Sequence, residues 1–388
     1  MIQLNTKNGL VKIFAKTLEE EALKQITQLA DSVLGQNANI RIMPDAHAGA
    51  GCVIGTTMVV TDKVCPNLVG VDIGCGVDLV KTNIDFKNRL KELDGLIRKF
   101  IPFGKNRHSK VQSFRDFINL KCWDALKNET RETALKSLGT LGGGNHFIEA
   151  YDNGYLAVHS GSRNIGYMVA DFYQNLAFKQ MQKLISDQPF NFKNEEENKE
   201  TAKSDWTKTE KSLSFLTGEK MQDYLHDMGI MQEFARQNRA QMLKVIVEKM
   251  GGEILSQTSS THNYIDMSGK QIILRKGAVA AQKGQQLVVP LNMRDGLLVC
   301  AGKGNPDWNY SSPHGAGRLY SRTKARQILN MDEYKDSMKG IFSSCINRDT
   351  LDEAPFAYKD YKEIVKLVEP TVDIIDRLIP IFNFKAGE

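Results

Sequence analysis

Residues 69–77 read Val-Gly-Val-Asp-Ile-Gly-Cys-Gly-Val, a short apolar segment that contains three glycines. The segment predicts a tight turn beside a strand, because glycine adopts backbone conformations that other residues avoid. Asp72 and Cys75 are separated by two residues, so a carboxylate and a thiolate can face one centre, and one thiolate can bridge two divalent ions. The motif alone is weak, and a small buried cysteine is the alternative interpretation.

The chain around this segment predicts strands joined by tight loops. Short apolar runs alternate with Gly, Pro and Asp from residue 40 to residue 83. A hairpin is expected near the N-terminus, because Asn8-Gly9 interrupts the apolar pattern of residues 2–14. Thr17 and Glu20 form a capping-box pattern, and apolar residues at helical spacing then predict a helix to about Gly35.

The rest of the chain alternates Gly-rich blocks with helical spacing. Gly-rich blocks cover residues 138–166 and 275–322. Helical spacing predicts two long stretches between them, at about 167–185 and 217–250, and the polar run 194–212 is interpreted as a solvated connection.

The C-terminal part, from residue 324 onward, again has helical spacing, and an apolar stretch follows at 378–384. Strands, Gly-rich loops and two long helical stretches together predict an α+β fold. We expect one domain over residues 1–388, with a helical segment at about 167–250.

The composition is that of an ordinary globular protein, with 41% hydrophobic and 25% charged residues among 388 and a formal charge of +5. A collagen, a coiled coil and a disordered chain are excluded. So small a charge requires local basic clusters if the partner is a polyanion. No apolar stretch approaches the roughly 20 residues of a membrane span, and six cysteines are too few for a disulfide scaffold. A cytoplasmic protein with free thiols and no membrane partner is expected.

Five of the seven histidines lie in short segments rich in Gly, Asn or Ser. A single histidine in such a loop is usually a hydrogen-bonded structural residue. Five similar segments favour a site, because small residues let the backbone approach an ion or a phosphate closely. These histidines are His47, His146, His159, His262 and His314.

His146, His159 and His262, together with Asp72 and Cys75, predict a two-metal site. Sulfur and nitrogen ligands favour zinc, iron or cobalt over manganese, so ligand chemistry alone leaves the metal open.

The segment around His314 predicts phosphate chemistry. In His314-Gly-Ala-Gly-Arg318, small residues can offer backbone N–H groups to phosphate oxygens, and Arg318 and Arg322 carry forked donors. His314 is a candidate ligand, base or nucleophile, since an imidazole attacks phosphorus when metals neutralise the leaving pyrophosphate. The alternative interpretation is a helix start with arginines that pair with surface acids.

Eight segments, in this order, resemble the RtcB family of RNA ligases. They read MPDAHAGAG, VGVDIGCGV, LGTLGGGNHFIE, VHSGSRNIG, HNY, RKGAV, SPHGAGRLYSRTKA and PFAYKD. The resemblance extends from about residue 40 to Lys385, and eight ordered motifs are far more specific than a single Gly-rich loop. It implies one domain with a β-rich core, surrounding helices and a long helical insertion.

The resemblance implies an enzyme that joins RNA 2′,3′-cyclic phosphate or 3′-phosphate ends to 5′-hydroxyl ends. GTP and two Mn²⁺ ions are the implied cofactors, and the implied route passes through a guanylylated histidine and an RNA 3′ end capped with GMP. Broken tRNA or another RNA is the expected partner, in tRNA splicing or RNA repair. An archease-like activator is a candidate partner, and a monomer is expected.

The resemblance also implies roles for single residues. Cys75 would bridge the two metals, with His159 and His262 completing one site and Asp72 and His146 the other. His314 would attack the α-phosphorus of GTP. Positions that match the family's nucleotide contacts are Asn145, Glu149, Asn292, Gly315, Ala316, Gly317, Tyr358 and Lys385. Arg163, Arg318 and Arg322 match arginines linked to RNA or phosphate, and Asp45 and His47 match the first acidic and histidine motif.

Four features depart from the family pattern. Residues 290–296 read PLNMRDG where many relatives read P-G-S-M-G, and Ala50 stands where a lysine is usual. Asn164 replaces a common glycine, and Lys385 is followed by residues 386–388 rather than by one glycine. None of these changes replaces an expected metal ligand or His314.

Two hypotheses compete with the ligase. One is a metal-dependent RNA end-processing phosphodiesterase, in which the altered 290–296 segment weakens GTP binding. The other is a non-catalytic RNA-end binding protein. A separate basic stretch, Gly104-Lys-Asn-Arg-His-Ser-Lys110, could contact RNA phosphates, although such a run is often a solvated surface.

Overall fold

The structure is a computed structural model that describes residues 1–126, 130–186 and 211–387. Sixteen β-strands and eight α-helices lie in these ranges, and the α+β prediction is confirmed. The same ranges contain no helix that is long and apolar enough to cross a membrane.

The strands and helices are numbered in chain order. The strands are β1 (Ile2–Thr6), β2 (Gly9–Ile13), β3 (Arg41–His47), β4 (Ile54–Val59), β5 (Gly76–Thr82), β6 (Phe147–Tyr151), β7 (Tyr155–Ser160), β8 (Ile254–Thr261), β9 (Asn263–Asp266), β10 (Ile273–Lys276), β11 (Ala278–Ala280), β12 (Gln286–Asn292), β13 (Gly296–Gly302), β14 (Ser311–Pro313), β15 (Val372–Leu378) and β16 (Pro380–Lys385). The helices are α1 (Glu20–Asp31), α2 (Leu90–Phe100), α3 (Arg131–Leu135), α4 (Arg163–Ser186), α5 (Gly218–Lys249), α6 (Arg322–Ile328), α7 (Met331–Ser337) and α8 (Tyr361–Val368).

A five-stranded sheet in the order β16-β6-β7-β5-β8 carries most of the candidate site. Its neighbours are antiparallel: Val77 pairs with His159, and Phe147 pairs with both His159 and Lys385. The starts of β5 and β6 therefore lie at the same edge as the ends of β7, β8 and β16. Cys75, His146 and His262 stand next to strand ends at this edge.

A six-stranded sheet in the order β1-β2-β3-β4-β10-β9 carries further segments of the candidate site. The predicted hairpin is confirmed, since Ile2 pairs with Ile13 and Gly9 has a φ of 125° that glycine readily adopts. β3 ends at His47, and β9 begins directly after His262. Two smaller sheets, β12-β13-β15 and β11-β14, complete the strands, and β14 leads directly to His314.

Helix α5 packs against α4, β5 and β7 and joins two hydrophobic cores. Its N-terminal half, including Met228 and Phe234, belongs to one cluster of buried residues. Its C-terminal half, including Met242 and Ile246, belongs to another. Between the two halves, Asn238 and Arg239 are fully buried polar residues. A buried polar pair at such a junction requires hydrogen-bond partners, which the candidate site supplies.

Helix α1 begins later than the capping-box pattern predicts, and the predicted extension to about Gly35 is a separate 3-10 helix, Val33–Gly35. It begins at Glu20 and ends at Asp31, and its N-cap residue Glu19 makes no side-chain capping hydrogen bond. The capping box at Thr17 is therefore wrong. Glu20 and Glu21 in the first turn stabilise this end through the helix dipole instead.

The predicted long helical stretches are confirmed by α4 and α5, and the C-terminal pattern by α6, α8 and β16. The predicted solvated connection at 194–212 falls almost entirely outside the described residues.

Candidate active site

A cysteine and two histidines converge at the common edge of the five-stranded sheet. The Sγ atom of Cys75 lies 3.5 Å from Nε2 of His146 and 3.3 Å from Nε2 of His159. All three side chains are buried, and their ligand atoms lie within 4.8 Å of one another. This spacing is suited to a metal ion held by sulfur and nitrogen.

Asp72 and His262 extend the group on opposite sides. Asp72 Oδ2 lies 3.1 Å from Nε2 of His146, and His262 Nε2 lies 3.4 Å from Nε2 of His159. The five side chains predicted as metal ligands are thus adjacent. They are arranged in the two pairs that the resemblance implies, with Cys75 between them.

Hydrogen bonds at the Nδ1 atoms of His146 and His159 orient both rings so that their Nε2 atoms face Cys75. His146 Nδ1 lies 2.8 Å from the carbonyl oxygen of Leu141, and His159 Nδ1 lies 3.1 Å from that of Asn145. A neutral imidazole that donates through Nδ1 keeps its lone pair at Nε2. Carbonyl partners of this kind commonly orient metal-binding histidines.

Burial determines the charge of these groups. It lowers the pKa of His159 and His262 well below the usual value, so both rings are neutral near pH 7. Burial, with the Asp72 carboxylate, raises the pKa of the Cys75 thiol. Converging lone pairs and a desolvated sulfur fit a cation, which would favour the thiolate. The donor set therefore fits a metal centre.

Asp72 approaches the start of α4 through a position that requires glycine. Its Oδ1 atom accepts a 3.0 Å hydrogen bond from the backbone N–H of Ser162. A Cβ atom on Gly161 would lie 2.1 Å from that oxygen. The small residues between His159 and α4 therefore let the carboxylate reach both the helix and His146.

His314 stands beside the cluster, and a buried carboxylate orients it. Its ring centroid lies 4.8 Å from that of His262, and its Nδ1 atom lies 2.7 Å from Oδ2 of Asp45. Asp45 is fully buried, and its Oδ1 atom has no hydrogen-bond partner among the described residues. With Nδ1 bonded to the carboxylate, Nε2 is the ring atom available for attack.

The loop after His314 is not a helix start. The next helix, α6, begins at Arg322, and Gly317 has a φ of 76°. A Cβ atom on Gly317 would lie 2.5 Å from the carbonyl oxygen of Asp45, so glycine lets the two segments touch. The Nδ1 atom of His47 lies 2.9 Å from the same carbonyl oxygen of Asp45. Burial lowers the pKa of His47 to about 4.

A cavity of about 210 Å³ opens from His314. All eight residues predicted to hold a nucleotide line it. They are Asn145, Glu149, Asn292, Gly315, Ala316, Gly317, Tyr358 and Lys385. His47, His159, Arg318 and Arg322 line the same cavity.

Glu149 and Asn292 have defined partners inside this cavity. Glu149 accepts hydrogen bonds of 2.7 Å from the Tyr151 hydroxyl and the Asn383 amide, and burial raises its pKa to about 7. The Asn292 side chain bonds Asp295 at 2.8 Å and closes the altered 290–296 segment into a turn. Its position on the wall agrees with the predicted nucleotide contact, while its hydrogen bonds serve the turn.

Glu353, which sequence reasoning missed, organises the basic side of the cavity. It accepts hydrogen bonds from Lys385 at 2.6 Å, Arg318 at 3.0 Å and Arg322 at 2.9 Å. The Tyr358 hydroxyl adds a fourth at 2.6 Å. The alternative in which these arginines pair with surface acids does not hold, because Glu353 is buried. Its position just before PFAYKD was the available signal.

Arg163 lies in a second groove, of about 520 Å³, lined also by Asp72, Lys105 and Arg107. Its φ of 59° is uncommon for a residue with a side chain. Its Nε atom donates to Thr140 Oγ1 at 3.2 Å. A Cβ atom on Gly142 would lie 2.1 Å from the guanidinium group of Arg163, so glycine at this position leaves room for the Arg163 side chain.

Asn238 and Arg239 of α5 tie the metal-site segments together, and sequence reasoning missed both. Arg239 donates to the carbonyl oxygens of Gly74 at 2.9 Å and Ser160 at 3.0 Å, next to Cys75 and His159. It also pairs with buried Asp78 at 2.9 Å.

Asn238 holds the loop that precedes His146. Its Oδ1 atom accepts from the backbone N–H groups of Gly139 and Thr140, and its Nδ2 atom donates to the carbonyl oxygen of Gly161. The dipeptide thus fixes all three segments that carry Cys75, His146 and His159.

A family model described as tRNA-splicing ligase RtcB matches residues 25–122 and 115–386. The chain belongs to the RtcB family. The resemblance expected from eight motifs is confirmed.

Curated RtcB proteins match along nearly their whole length. The chain is 29% identical over 426 residues to the RNA-splicing ligase RtcB of Escherichia coli strain K12, with 99% of each chain covered. It is 26% identical over 438 residues to the tRNA-splicing ligase RtcB of Nanoarchaeum equitans, covering 89% of this chain and 87% of that protein. It is 25% identical over 473 residues to the tRNA-splicing ligase RtcB of Thermococcus kodakarensis, covering 95% of this chain and 93% of that protein.

In this RtcB-family chain, Arg239→Lys is expected to weaken binding of a divalent metal about ten- to hundred-fold. In Arg239 the Nη1 atom reaches both carbonyl oxygens while the Nε atom reaches Asp78, and the single nitrogen of a lysine cannot occupy both positions. Equilibrium dialysis with Mn²⁺ measures the affinity. Arg236→Lys is the matched control, because Arg236 is an exposed residue of the same helix paired with Glu233. Equal affinity in a folded Arg239→Lys protein would contradict this role.

Glu353 predicts a pH-dependent contribution to stability. Burial alone would raise its pKa, but Lys385, Arg322 and Arg318 outweigh burial and lower the pKa from 4.5 to about 2. Its stabilisation is therefore present above pH 4.5 and is lost as pH falls toward 2. Glu353→Gln should show a smaller loss of unfolding free energy in this window, measured by urea titration at each pH.

The matched control is Glu132→Gln, which removes an exposed carboxylate paired with Lys136. This variant should keep the wild-type pH dependence. An identical pH dependence for Glu353→Gln and wild type would show that the buried cluster does not contribute in this way.

Proposed function

We propose that this protein is an RNA ligase that joins 2′,3′-cyclic phosphate or 3′-phosphate RNA ends to 5′-hydroxyl ends. Family membership supports ligation of RNA in general. The observation that carries the detailed proposal is the placement of His314, which Asp45 orients between the candidate metal ligands and the cavity lined by the predicted nucleotide contacts. GTP and two Mn²⁺ ions are the proposed cofactors.

His314 is the proposed nucleophile. Its Nε2 atom forms a bond to the α-phosphorus of GTP, and the bond from that phosphorus to pyrophosphate breaks. Asp45 holds the Nδ1 proton and stabilises the ring as positive charge develops. Lys385, Arg318 and Arg322 also line the cavity. Their positive charges would be partners for the phosphate or base oxygens of a bound nucleotide.

The candidate metal ligands are Asp72, Cys75, His146, His159 and His262. Bound divalent ions would supply Lewis acidity that neutralises charge on phosphate oxygens. The protein's part is to keep His159 and His262 neutral, to orient His146 and His159 through carbonyl oxygens, and to bring Asp72 to the cluster.

Transfer to RNA follows from the same chemistry. After water opens a cyclic phosphate, an oxygen of the RNA 3′-phosphate attacks the GMP phosphorus and the P–N bond to His314 breaks. The 5′-hydroxyl oxygen then attacks the RNA 3′-phosphorus, loses its proton, and GMP leaves. Attachment of GMP to the RNA 3′-phosphate supplies GMP as the leaving group of this step, and a free 3′-phosphate has no such leaving group. The groove at Arg163 is the proposed path of the RNA.

The altered 290–296 segment is the feature that favours the phosphodiesterase alternative. Its turn is closed within the protein, and Asn292 and Gly296 still line the cavity. We therefore favour the ligase, for which tRNA splicing or RNA repair in the cytoplasm is the expected setting.

His314→Ala should abolish formation of an acid-labile covalent GMP adduct. The test incubates the protein with Mn²⁺ and α-labelled GTP and measures label that remains after denaturation. His226→Ala is the control, because His226 is a partly exposed histidine of α5 paired with Asp227. A wild-type protein that opens cyclic phosphates without forming the adduct would support the phosphodiesterase. A protein that binds RNA ends and does neither would support the binding protein.

Neutralising the basic stretch should lower the salt dependence of RNA binding. The triple variant Lys105→Gln, Arg107→Gln and Lys110→Gln removes three positive charges. Lys105 and Arg107 line the Arg163 groove. Each lost phosphate contact should reduce the slope of log affinity against log salt by about 0.7 for single strands. Fluorescence anisotropy from 50 to 200 mM salt gives the slope. Lys335→Gln with Lys339→Gln is the control pair, and an unchanged slope in the triple variant would contradict the proposal.

A further inference from the structure

The Arg163 groove contains two exposed apolar side chains among its cationic ones. Tyr167 is 51% exposed and Val71 is 43% exposed, and both line the groove with Lys105 and Arg107. A surface that bound only phosphate would need cationic and amide donors, and an aromatic ring would add nothing to it. Alternation of cations with an exposed ring is typical of proteins that bind single-stranded nucleic acid.

Helical geometry places the ring and the charge on one face. Arg163 and Tyr167 are four residues apart in α4, and residues at this spacing are neighbours on a helix surface. The opposite face, which includes Ile165 and Val169, is buried in the core. Tyr167 is therefore held at the groove by a helix whose other side is fixed.

The groove is continuous with the candidate metal centre. Val71 and Asp72 line both the Arg163 groove and the adjoining cavity that contains Cys75, His262 and His314. A polyanion lying along the groove would thus lead from Tyr167 toward the reactive centre. Because Asp72 is acidic, the cations Lys105, Arg107 and Arg163 are the groups that favour a polyanion.

We propose that Tyr167, with Val71 beside it, is a stacking platform for an unpaired nucleobase of the RNA strand that enters this groove. The inference rests on the proposed function for its substrate class and adds a subsite that reads the planar face of a base. Stacking on one aromatic ring is sequence-tolerant, because every base has a π-face. The platform would hold a strand end of any sequence at the reactive centre.

The test uses a single-stranded RNA of ten nucleotides with a 3′-phosphate and 2-aminopurine near that end, in the absence of GTP. Wild-type protein should quench the 2-aminopurine fluorescence on binding. Tyr167→Phe should keep the quenching and the affinity, because the ring is retained. Tyr167→Ala should lose the quenching and bind roughly 5- to 100-fold more weakly.

Salt titration separates stacking from charge. Tyr167→Ala should keep the wild-type salt slope, whereas Lys105→Ala should lower it. Ile118→Ala is the control, since Ile118 is a 73% exposed apolar side chain that does not line the groove. Unchanged affinity and quenching in Tyr167→Ala would overturn the platform, as would an equal loss of affinity in Tyr167→Phe, which keeps the ring.

Ligation of the same RNA to a 5′-hydroxyl partner is measured separately with wild-type protein, Mn²⁺ and GTP. If ligation occurs and Tyr167→Ala binds normally, the platform is wrong and the proposed function stands. If quenching depends on Tyr167 and no ligation occurs, the platform stands and the proposed function is wrong.

Discussion

The antiparallel register of the five-stranded sheet is the constraint on which the rest of the site depends. Val77 opposite His159, and His159 opposite Phe147, place Cys75 and His146 beside the same imidazole. A shift of one residue would turn His159 to the other face of the sheet. Arg239 secures this register by bonding Gly74 and Ser160, one residue from Cys75 and His159 respectively.

Burial of so many polar groups is tolerated because nearly every one has a partner. Glu353 and its cations form one closed cluster, and Arg239 and Asp78 form another. An uncompensated charge at such depth would be strongly destabilising. Asp45 is one of five exceptions among the described residues, because its buried Oδ1 atom has no hydrogen-bond partner there. The candidate site thus retains one buried carboxylate oxygen without a partner among the described residues.

Sequence patterns anticipated which candidate site residues lie together better than they anticipated the residues that hold them in place. Small residues around Cys75, His146 and His314 marked the loops, because an ion or phosphate site needs close backbone approach. Asn238 and Arg239 were missed because a polar pair within a helical pattern looks like an ordinary solvated face. Their burial follows from the packing of α5 between two cores, which spacing does not reveal. The capping box at Thr17 was wrong because the helix begins at Glu20, which places Glu20 at the first helical position and not at the third.

One backbone oxygen links the two halves of the site. The carbonyl of Asn145 accepts from Nδ1 of His159 at 3.1 Å and from Nζ of Lys385 at 3.2 Å. A nucleotide that draws the lysine away would leave this oxygen to the imidazole alone and change the ring's basicity. A nucleotide in the cavity and a metal ion at the sulfur-nitrogen cluster would then be thermodynamically coupled. Such heterotropic linkage is reciprocal, so each ligand would tune the other by the same factor.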